Sequence, residues 1–255
     1  MKNRKERIDI LIETLRSTRQ VAVLTGAGVS AESGIPTFRG KDGLWKTYRA
    51  EELATPHAFH QNPRLVWEWY DWRRGLIASK EPNSGHLVLA RWEKIFPSFN
   101  LITQNIDGLH QKAGSTNILE LHGNIWKVRC TEEETVTENH ETPLSQIPPR
   151  CPNCGALLRP HVVWFGETLP FSVLQRSLLL SSNCEVMFVV GTSAVVQPAA
   201  SLPYSASEAG AKIVEINPDP TPLTDFAHFS FRGKAGEILP LIDKKLTAAI
   251  QARKD

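Results

Sequence analysis

Short apolar segments alternate along the chain with longer stretches whose apolar residues recur at helical spacing. Four short segments, residues 21–25, 100–103, 186–190 and 212–216, are followed within two positions by glycine, asparagine or proline. An apolar run of this length is typical of a parallel strand that is buried on both faces. The repeated strand–loop–helix order predicts an α/β fold, with helices on both faces of a parallel sheet.

Two longer stretches carry apolar residues on one helical face. In residues 1–20 these are Ile8, Leu11, Ile12 and Leu15, and in the second stretch the face comprises Trp67, Tyr70, Arg74 and Ile77. This spacing predicts an amphipathic helix at the start of the chain and another near its first third. The ends of parallel strands carry ligands in such folds, so we expect the polar residues after the four strands to share one cleft.

Two regions interrupt the strand–loop–helix pattern. Residues 40–85 hold several tryptophans, and residues 123–160 are polar, rich in proline and contain three of the four cysteines. We interpret both as insertions that form one smaller domain, made of a helical module and a cysteine-containing module. The large domain then comprises residues 1–39, 86–122 and 161–255.

Composition excludes several classes of protein. The 255 residues suffice for one large core and a small appended module. The net charge is only +2, and the chain contains no basic run that would suit a nucleic acid. No apolar stretch approaches the length that crosses a bilayer, and the first residues lack the apolar core of a secretory signal. We therefore expect a cytoplasmic protein that binds neither nucleic acid nor membranes, with cysteines that form no disulfide.

A glycine-rich loop follows the first predicted strand. Residues 26–31, Gly-Ala-Gly-Val-Ser-Ala, fit the pattern G-x-G-x-x-G/A, which lets backbone N–H groups approach a dinucleotide pyrophosphate. The same pattern also occurs in strand-to-helix turns that bind nothing. The acidic residue of ordinary dehydrogenases would be Glu51 or Glu52, and neither ends a predicted strand. Residues 32–40 instead suggest a lid over the bound dinucleotide.

Five blocks of sequence together resemble the sirtuins, a family of NAD-dependent protein lysine deacylases. They occur in the family's order and span nearly the whole chain: residues 25–40 (TGAGVSAESGIPTFRG), 103–110 (TQNIDGLH), 120–124 (ELHGN), 159–167 (RPHVVWFGE) and 191–193 (GTS). The resemblance implies a Rossmann-like, doubly wound large domain, a smaller inserted domain that carries zinc in a ribbon-like module, and a cleft between them. It also implies NAD as a consumed co-substrate, acylated lysine side chains of proteins as substrates, and here a bacterial enzyme.

The resemblance also implies which residues bind the dinucleotide. They are Gly26, Ala27, Gly28, Ser30, Ala31, Phe38, Arg39, Trp45, Gln104, Asn105, Ile106, Asp107, Gly191, Thr192, Ser193, Asn217 and Ala235. Each has an alternative role as a turn or cap residue, and for Asn217, which precedes a proline, that alternative is a common turn.

Three polar residues are candidates for the chemistry. His122 follows the predicted strand 118–121 and matches the family's general base, and imidazole titrates near neutral pH. Asn105 and Asp107 match the residues that orient the ribose, a water molecule and the nicotinamide amide. Without that context a single histidine is more often structural, and His86 and His110 are interpreted as packed or surface residues.

Tyr70 and Arg73 indicate the acyl group, since residues three apart meet on one helix face. In an arbitrary helix the tyrosine would pack and the arginine would reach solvent. In this family the pair resembles the class III enzymes, which prefer succinyl-, malonyl- and glutaryl-lysine, and a guanidinium binds a carboxylate bidentately. Ala54 matches the small residue of that class. Val163 and Phe165 are expected to line the acyl-lysine tunnel beside an extended substrate peptide.

The cysteines depart from the family's pattern of two pairs. Cys151 and Cys154 have zinc-knuckle spacing, whereas Cys130 lacks a second cysteine nearby and Cys184 is interpreted as a buried core residue. Three alternatives follow: Glu133 completes the site, His140 does so, or the module holds no metal.

Several other functions compete with deacylation of acidic acyl groups. Plain deacetylation, NAD hydrolysis or ADP-ribosyl transfer would use the same dinucleotide site, although a hydrolase needs no acyl tunnel. A non-catalytic NAD sensor would be expected to have lost residues such as His122 or Asn105, and both are present.

Overall fold

The computed structural model describes residues 3–36, 44–45 and 48–252. In chain order the strands are β1 (Gln20–Thr25), β2 (Leu44–Trp45), β3 (Tyr48–Arg49), β4 (Ser98–Thr103), β5 (Ile118–Glu120), β6 (Gly123–Cys130), β7 (Val136–Glu138), β8 (Leu158–Val162), β9 (Val186–Val190), β10 (Lys212–Asn217) and β11 (Phe229–Arg232). The helices are α1 (Arg4–Ser17), α2 (Ala27–Ala31), α3 (Ala50–Leu53), α4 (Pro56–Gln61), α5 (Pro63–Ala78), α6 (Ser84–Trp92), α7 (Leu109–Lys112), α8 (Phe171–Asn183), α9 (Leu202–Glu208) and α10 (Ala235–Gln251), with a 3₁₀ turn at Ala199–Ser201.

Within the described residues, six strands form one sheet in the order β11-β10-β9-β1-β4-β5. All neighbours in this sheet run parallel. From β1 the chain adds β4 and β5 on one side and then β9, β10 and β11 on the other, which is the Rossmann order with its switch point between β1 and β9. The predicted doubly wound α/β fold and its four strands are confirmed.

Both faces of the large sheet are covered by helices. Alternate residues of β1 point to opposite faces, so Val21 and Val23 join the core beneath α1, α6 and α10, while Ala22 and Leu24 face α8 and α9. The four apolar residues predicted for the opening helix are all buried in α1. The fold therefore leaves the strand ends, and not the sheet faces, for binding.

A second, antiparallel sheet has the strand order β7-β6-β8. Helix α5 packs against it and begins after Asn62, whose side chain accepts a hydrogen bond of 3.0 Å from the Leu65 N–H and so caps the helix. The predicted face of Trp67, Tyr70, Arg74 and Ile77 is buried. The sheet and helix share a hydrophobic core separate from those of the large sheet, although the exact domain boundaries stay a prediction.

His122 lies at the junction of the two sheets. Strand β5 ends at Glu120 and β6 begins at Gly123, so Leu121 and His122 are the two residues that connect one sheet to the other. Gly123 has φ of +77°, and a Cβ added there would lie 2.1 Å from the carbonyl oxygen of His161. Only glycine fits this close approach, so the residue fixes how the second sheet leaves the first. Among the helices that the structure describes, none is long and apolar enough to cross a lipid bilayer.

Candidate functional site

The register of the large sheet brings the ends of its strands to one edge. Thr25 at the end of β1 pairs with Thr103 of β4 and with Val190 of β9. Thr103 in turn pairs with Glu120 of β5. The loops that follow these strands therefore lie side by side, as the sequence predicts for a shared cleft.

The glycine loop touches the backbone after β9 at the switch point. The Gly28 N–H donates to the Gly191 carbonyl over 2.8 Å. A Cβ added to Gly28 would lie 2.8 Å from that carbonyl oxygen, and one added to Gly26 would lie 2.7 Å from the Thr192 Cβ. The sequence needs glycine here because two backbones meet, and the open N-terminal turn of α2 leaves N–H groups for a pyrophosphate.

Ser30 links the loops after β1 and β4. Its hydroxyl donates to Asp107 Oδ2 over 2.7 Å and accepts from Asn105 Nδ2 at 3.1 Å. Asn105 Nδ2 also donates to the Gly26 carbonyl over 3.0 Å, and Asp107 Oδ1 accepts from the Leu109 N–H at 2.8 Å. Burial raises the pKa of Asp107, while the Leu109 and Ser30 hydrogen bonds act to lower it. The three predicted residues are thus assembled into one network.

His122 is held by the loop after β4. Its Nδ1 lies 2.9 Å from the Gln104 carbonyl oxygen, so the tautomer with hydrogen on Nδ1 leaves Nε2 as a proton acceptor. Burial lowers the pKa of His122, and the Gln104 hydrogen bond partly opposes this effect. Gln104 Nε2 also donates to Thr192 Oγ1 over 3.0 Å, which joins the loops after β4 and β9. The imidazole is therefore neutral and oriented near neutral pH.

The other predicted dinucleotide residues lie farther along the same edge. Asn217 Nδ2 donates to the Asp219 carbonyl over 2.9 Å, as in a turn, and the Asn217 carbonyl accepts from Gly233 N at 3.3 Å. Ala235 is buried at the start of α10, while Ser193 is exposed. Ala27 and Ala31 belong to α2, and Ile106 is half-buried between Asn105 and Asp107. Phe38 and Arg39 lie outside the described residues, as does the side chain of Trp45 in β2.

Glu215 is a buried acid in this region that the sequence analysis did not identify. Its carboxylate, with a side chain 1% exposed, accepts from Arg232 Nη1 at 3.2 Å. It also accepts from Ser230 Oγ at 2.6 Å, from Thr224 Oγ1 at 3.0 Å and from Thr221 Oγ1. The network ties the loop that contains Asn217 to the strand that precedes Ala235. The sequence feature that could have identified Glu215 is its position as a charged residue within the apolar run of β10.

Glu32 joins the glycine-loop helix to the last helix and was likewise missed. Its two carboxylate oxygens accept from the Gly236 N–H at 3.0 and 3.2 Å. A carboxylate stabilises the N-terminus of a helix, here α10. The predicted contact at Ala235 is therefore fixed relative to α2.

Tyr70 and Arg73 lie on the side of α5 that faces this cleft. Tyr70 is 2% exposed, and its hydroxyl accepts from Trp164 Nε1 at 2.9 Å. Burial raises the pKa of Tyr70 to about 12. The Arg73 guanidinium stacks over the Trp69 ring at 5.1 Å, and burial lowers its pKa while Tyr70 and Asp107 act to raise it. The arginine therefore lies in the electrostatic field of the predicted catalytic residues.

The remaining predicted substrate residues surround the same region. The Ala54 carbonyl accepts from the Phe165 N–H at 2.9 Å, and the His122 carbonyl accepts from the Val163 N–H at 3.0 Å. Ala54 is buried and Phe165 is 49% exposed. These bonds align residues 163–165 between Ala54 and the candidate base His122.

His86 and His110 are packed together, as expected. Their ring centroids are 4.8 Å apart, and both side chains are at most 1% exposed. His110 Nε2 lies 3.0 Å from Thr25 Oγ1, beneath the glycine loop. Both residues support the loop from below and do not reach the cleft.

Four side chains near the end of the second sheet could hold a metal ion. The ligand atoms of Cys130, Glu133, Cys151 and Cys154 all lie within 4.8 Å of one another. The Cys130 and Cys154 sulfurs are 3.5 Å apart, and Cys151 Sγ lies 3.7 Å from Glu133 Oε2. Three thiols and one carboxylate fit the tetrahedral preference of zinc.

The charges of the cluster also favour a cation. The Glu133 N–H donates to Cys130 Sγ over 3.4 Å and lowers the pKa of that thiol. The Ala156 N–H acts in the same direction on Cys154, but the neighbouring Cys130 sulfur and burial raise the pKa of Cys154 to about 11. A bound cation would remove this repulsion between thiolates.

Of the two candidates for a fourth ligand, Glu133 and His140, the geometry selects Glu133. His140 is wrong as a ligand, because its Nε2 lies 3.0 Å from Glu138 Oε2 and its ring stacks on Trp126 at 5.7 Å. Cys184 is buried at the end of α8, apart from the cluster, as predicted. The carboxylate reaches the site because Glu133 follows Cys130 in a tight turn.

Comparison with known proteins identifies the family. The model of the Sir2 family matches residues 26–198. An NAD-dependent protein deacylase of Aquifex aeolicus is 60% identical over 215 residues, which cover 84% of this chain and 90% of the relative. A solved Sir2 homolog–NAD complex superposes with a TM-score of 0.90 at 50% identity, covering 94% of each chain. A solved complex of a mutant Sir2 homologue with 2′-O-acetyl ADP ribose has a TM-score of 0.89 at 48% identity, covering 97% of this chain and 98% of the other. The chain therefore belongs to the Sir2 family.

Proposed function

We propose that this protein is an NAD-dependent protein lysine deacylase that prefers acidic acyl groups. Its substrates are succinyl-, malonyl- and glutaryl-lysine side chains of proteins, and acetyl-lysine is a weaker substrate. The products are nicotinamide, O-acyl-ADP-ribose and free lysine. The deacylase activity is supported by the name of the Aquifex relative. The acyl preference rests on one observation, the buried Tyr70 and the half-buried Arg73 on one face of α5, with Arg73 in the electrostatic field of Asp107.

The cleft suits NAD as co-substrate. NAD supplies the ribose carbon that receives the acyl-lysine oxygen as nicotinamide leaves. The close contact of the Gly28 and Gly191 backbones leaves room for a pyrophosphate against α2. Gln104, Asn105 and Asp107 project from the end of β4 toward the same cleft, where an amide and a carboxylate can orient a ribose and a nicotinamide amide. A solved relative with NAD supports this assignment.

His122 acts as the general base. With Nδ1 bonded to the Gln104 carbonyl at 2.9 Å, its Nε2 can take a proton from a ribose hydroxyl. That hydroxyl then attacks the acyl carbon, and the bond from this carbon to the lysine nitrogen breaks, which frees lysine. A water molecule adds to the same carbon, its bond to the C1′ oxygen breaks, and O-acyl-ADP-ribose is released. The lowered pKa of His122 keeps the imidazole unprotonated near neutral pH.

Arg73 and Tyr70 read the far end of the acyl chain. A succinyl group ends in a carboxylate, which a guanidinium binds with two parallel hydrogen bonds and to which a phenol can donate a third. An acetyl group has no such carboxylate and makes none of these hydrogen bonds, which disfavours it relative to succinyl. The Val163–Phe165 segment lies between this pair and His122, where an extended substrate peptide can add a strand.

Zinc is proposed to be structural. Cys130, Glu133, Cys151 and Cys154 would hold it at the end of the second sheet, and they leave no open position for a substrate. The metal would fix the turn after Cys130 relative to the Cys151 turn. None of the steps at His122 depends on it.

A panel of acyl-lysine peptides tests the function. Succinyl, malonyl, glutaryl and acetyl versions of one peptide are incubated with NAD, and nicotinamide release and O-acyl-ADP-ribose are followed. Succinyl or malonyl peptide should give the highest kcat/KM, and Arg73→Met should reduce that value by at least about a hundredfold while acetyl turnover changes little. Equal loss of both activities would remove the carboxylate-reading role. Nicotinamide release that does not require peptide would instead indicate NAD hydrolysis.

A further inference from the structure

The indole of Trp164 is bonded to the phenol of Tyr70. Trp164 Nε1 lies 2.9 Å from the Tyr70 hydroxyl oxygen, and each residue is 2% exposed. An indole N–H can only donate a hydrogen bond, so the Tyr70 oxygen must accept here. The hydrogen of the phenol is consequently directed away from Trp164.

That hydrogen is available to a ligand. Among the hydrogen bonds of the described residues, Tyr70 accepts the one from Trp164 and donates none. Arg73 lies one helical turn farther along α5, and its charge acts on Tyr70. A carboxylate placed against Arg73 can therefore accept from the phenol as well, and this second donor fixes its orientation.

The indole that orients Tyr70 is itself held rigidly. The Arg159 guanidinium carbon lies 3.6 Å from the centroid of the Trp164 ring. The centroids of the Phe59 and Trp164 rings are 5.2 Å apart. Arg159 is bound by Glu167 through two hydrogen bonds of 2.6 and 2.9 Å, and Glu167 Oε2 also accepts from the Trp164 N–H at 2.8 Å. Buried, bidentate pairing of this kind leaves the ring few alternative positions.

We propose that Trp164 is a positioning residue for acyl selectivity, because its indole N–H orients the Tyr70 hydroxyl as a donor to the distal carboxylate of the acyl chain. The inference deepens the proposed function and rests on it. Trp164 is bonded to Tyr70, so it acts on the acyl group through the phenol. It also lies between Val163 and Phe165, which couples the position of the substrate peptide to the position of the acyl reader.

The test compares Trp164→Phe with a matched control. Trp67→Phe removes an indole N–H that donates to the Leu158 carbonyl over 2.7 Å and not to Tyr70. The Trp67 ring packs edge-on against the Tyr70 ring with centroids 6.4 Å apart, and phenylalanine retains an aromatic ring at this position. For each variant, kcat and KM are measured with succinyl and acetyl peptides at saturating NAD. Trp164→Phe should lower kcat/KM for succinyl peptide about tenfold and for acetyl peptide less than about twofold, the size expected for one oriented hydrogen bond. Trp67→Phe should change both equally.

Two further variants separate orientation from folding. Tyr70→Phe should lose selectivity to a similar degree, and adding it to Trp164→Phe should cost little more, because both act on one hydrogen bond. Trp164→His retains a ring N–H and should lose less selectivity than Trp164→Phe, even if both variants melt at a lower temperature than the wild type.

The outcomes distinguish the inference from the function on which it rests. A succinyl preference that Arg73→Met removes but Trp164→Phe leaves unchanged overturns the inference alone. Equal losses for both peptides in Trp164→Phe, or additive losses in the double variant, also overturn it. A wild-type enzyme without acidic preference, unaffected by Arg73→Met, overturns the proposed acyl preference and the inference together.

Discussion

The His122 Nδ1 atom lies 2.9 Å from the Gln104 carbonyl oxygen, while the Gln104 side chain reaches Thr192 across the cleft. One residue of the β4 loop therefore orients the candidate base with its backbone and joins the β9 loop with its amide. This arrangement leaves Nε2 as the atom that accepts a proton, so activity requires the neutral imidazole.

The pH dependence of the rate follows from this. Because burial lowers the pKa of His122, the neutral form persists below the ordinary histidine value of about 6.5. Activity should be complete at neutral pH and should fall only as the pH drops through the lowered pKa. A kcat/KM profile with succinyl peptide measures this acid limb. His122→Gln should lower kcat by about a hundredfold or more and abolish the limb; a limb that survives the substitution would assign it to another group.

Loss of the Glu215 carboxylate should weaken NAD binding. Glu215→Gln disturbs the bonds to Arg232, Ser230 and Thr224 that tie the Asn217 loop to the strand before Ala235. We expect KM for NAD to rise about tenfold, equivalent to about 1.4 kcal/mol, with kcat at saturating NAD nearly unchanged.

A matched control for Glu215→Gln is Glu93→Gln. Glu93 accepts from the Thr116 and Asn117 N–H groups at 2.9 and 3.0 Å, near the beginning of β5 and away from the cleft. The Glu93→Gln variant should leave KM for NAD unchanged. A fall in kcat at constant KM in Glu215→Gln would show that Glu215 does not act through dinucleotide binding.

Zinc content should depend on the mixed cluster. The purified protein is expected to contain about one zinc per chain, and Cys151→Ala should remove most of it and lower the melting temperature. Glu133→Ala should retain zinc at first but lose it to a chelator faster than the wild type, and Glu133→Cys should lose it more slowly. Elemental analysis and thermal unfolding measure these effects.

Cys184→Ala serves as the control for the metal site, because Cys184 is buried outside the cluster. This variant should keep its zinc even if its stability falls. Metal content that is near zero in the wild type, or unchanged in Cys151→Ala, would contradict the assignment of the cluster.

Replacing Gly28 or Gly75 by alanine should change the free energy of unfolding in opposite directions. Gly28→Ala places a Cβ 2.8 Å from the Gly191 carbonyl oxygen, so the loop must move, and both stability and NAD binding should fall. Gly75 lies in α5, where the nearest neighbour of an added Cβ is Thr142 Oγ1 at 4.0 Å. Gly75→Ala should raise the free energy of unfolding by about 0.5–1 kcal/mol through helix propensity. Thermal unfolding of both variants and the KM for NAD check this contrast.

Local pattern sufficed to predict the strands that are buried on both faces. The runs that became β1, β4, β9 and β10 were recognisable because most of their residues are apolar, as strands covered on both faces require. Strand β11 was missed, since it lies at the sheet edge and three of its four residues are only half-buried. Its short alternating sequence carries little signal against the surrounding loops.

The residues of the candidate site also fall into two groups, those that a local motif identified and those that only the fold brings together. Glycines, His122 and the Tyr70–Arg73 pair stand in local motifs and were identified. Trp164 as a partner of Tyr70 was not, because the two are 94 positions apart and only folding brings them together. The role of Glu133 was one of three alternatives until the turn after Cys130 placed its carboxylate beside Cys151.

The position of His122 at the junction between the two sheets has a mechanical consequence. Strands β5 and β6 belong to different sheets and are joined by only two residues, Leu121 and His122. The candidate base therefore has contacts to both sides of the cleft, since its Nδ1 bonds to the Gln104 carbonyl after β4 and its own carbonyl accepts from the Val163 N–H after β8. A displacement of either sheet relative to the other would act directly on the backbone that carries the imidazole.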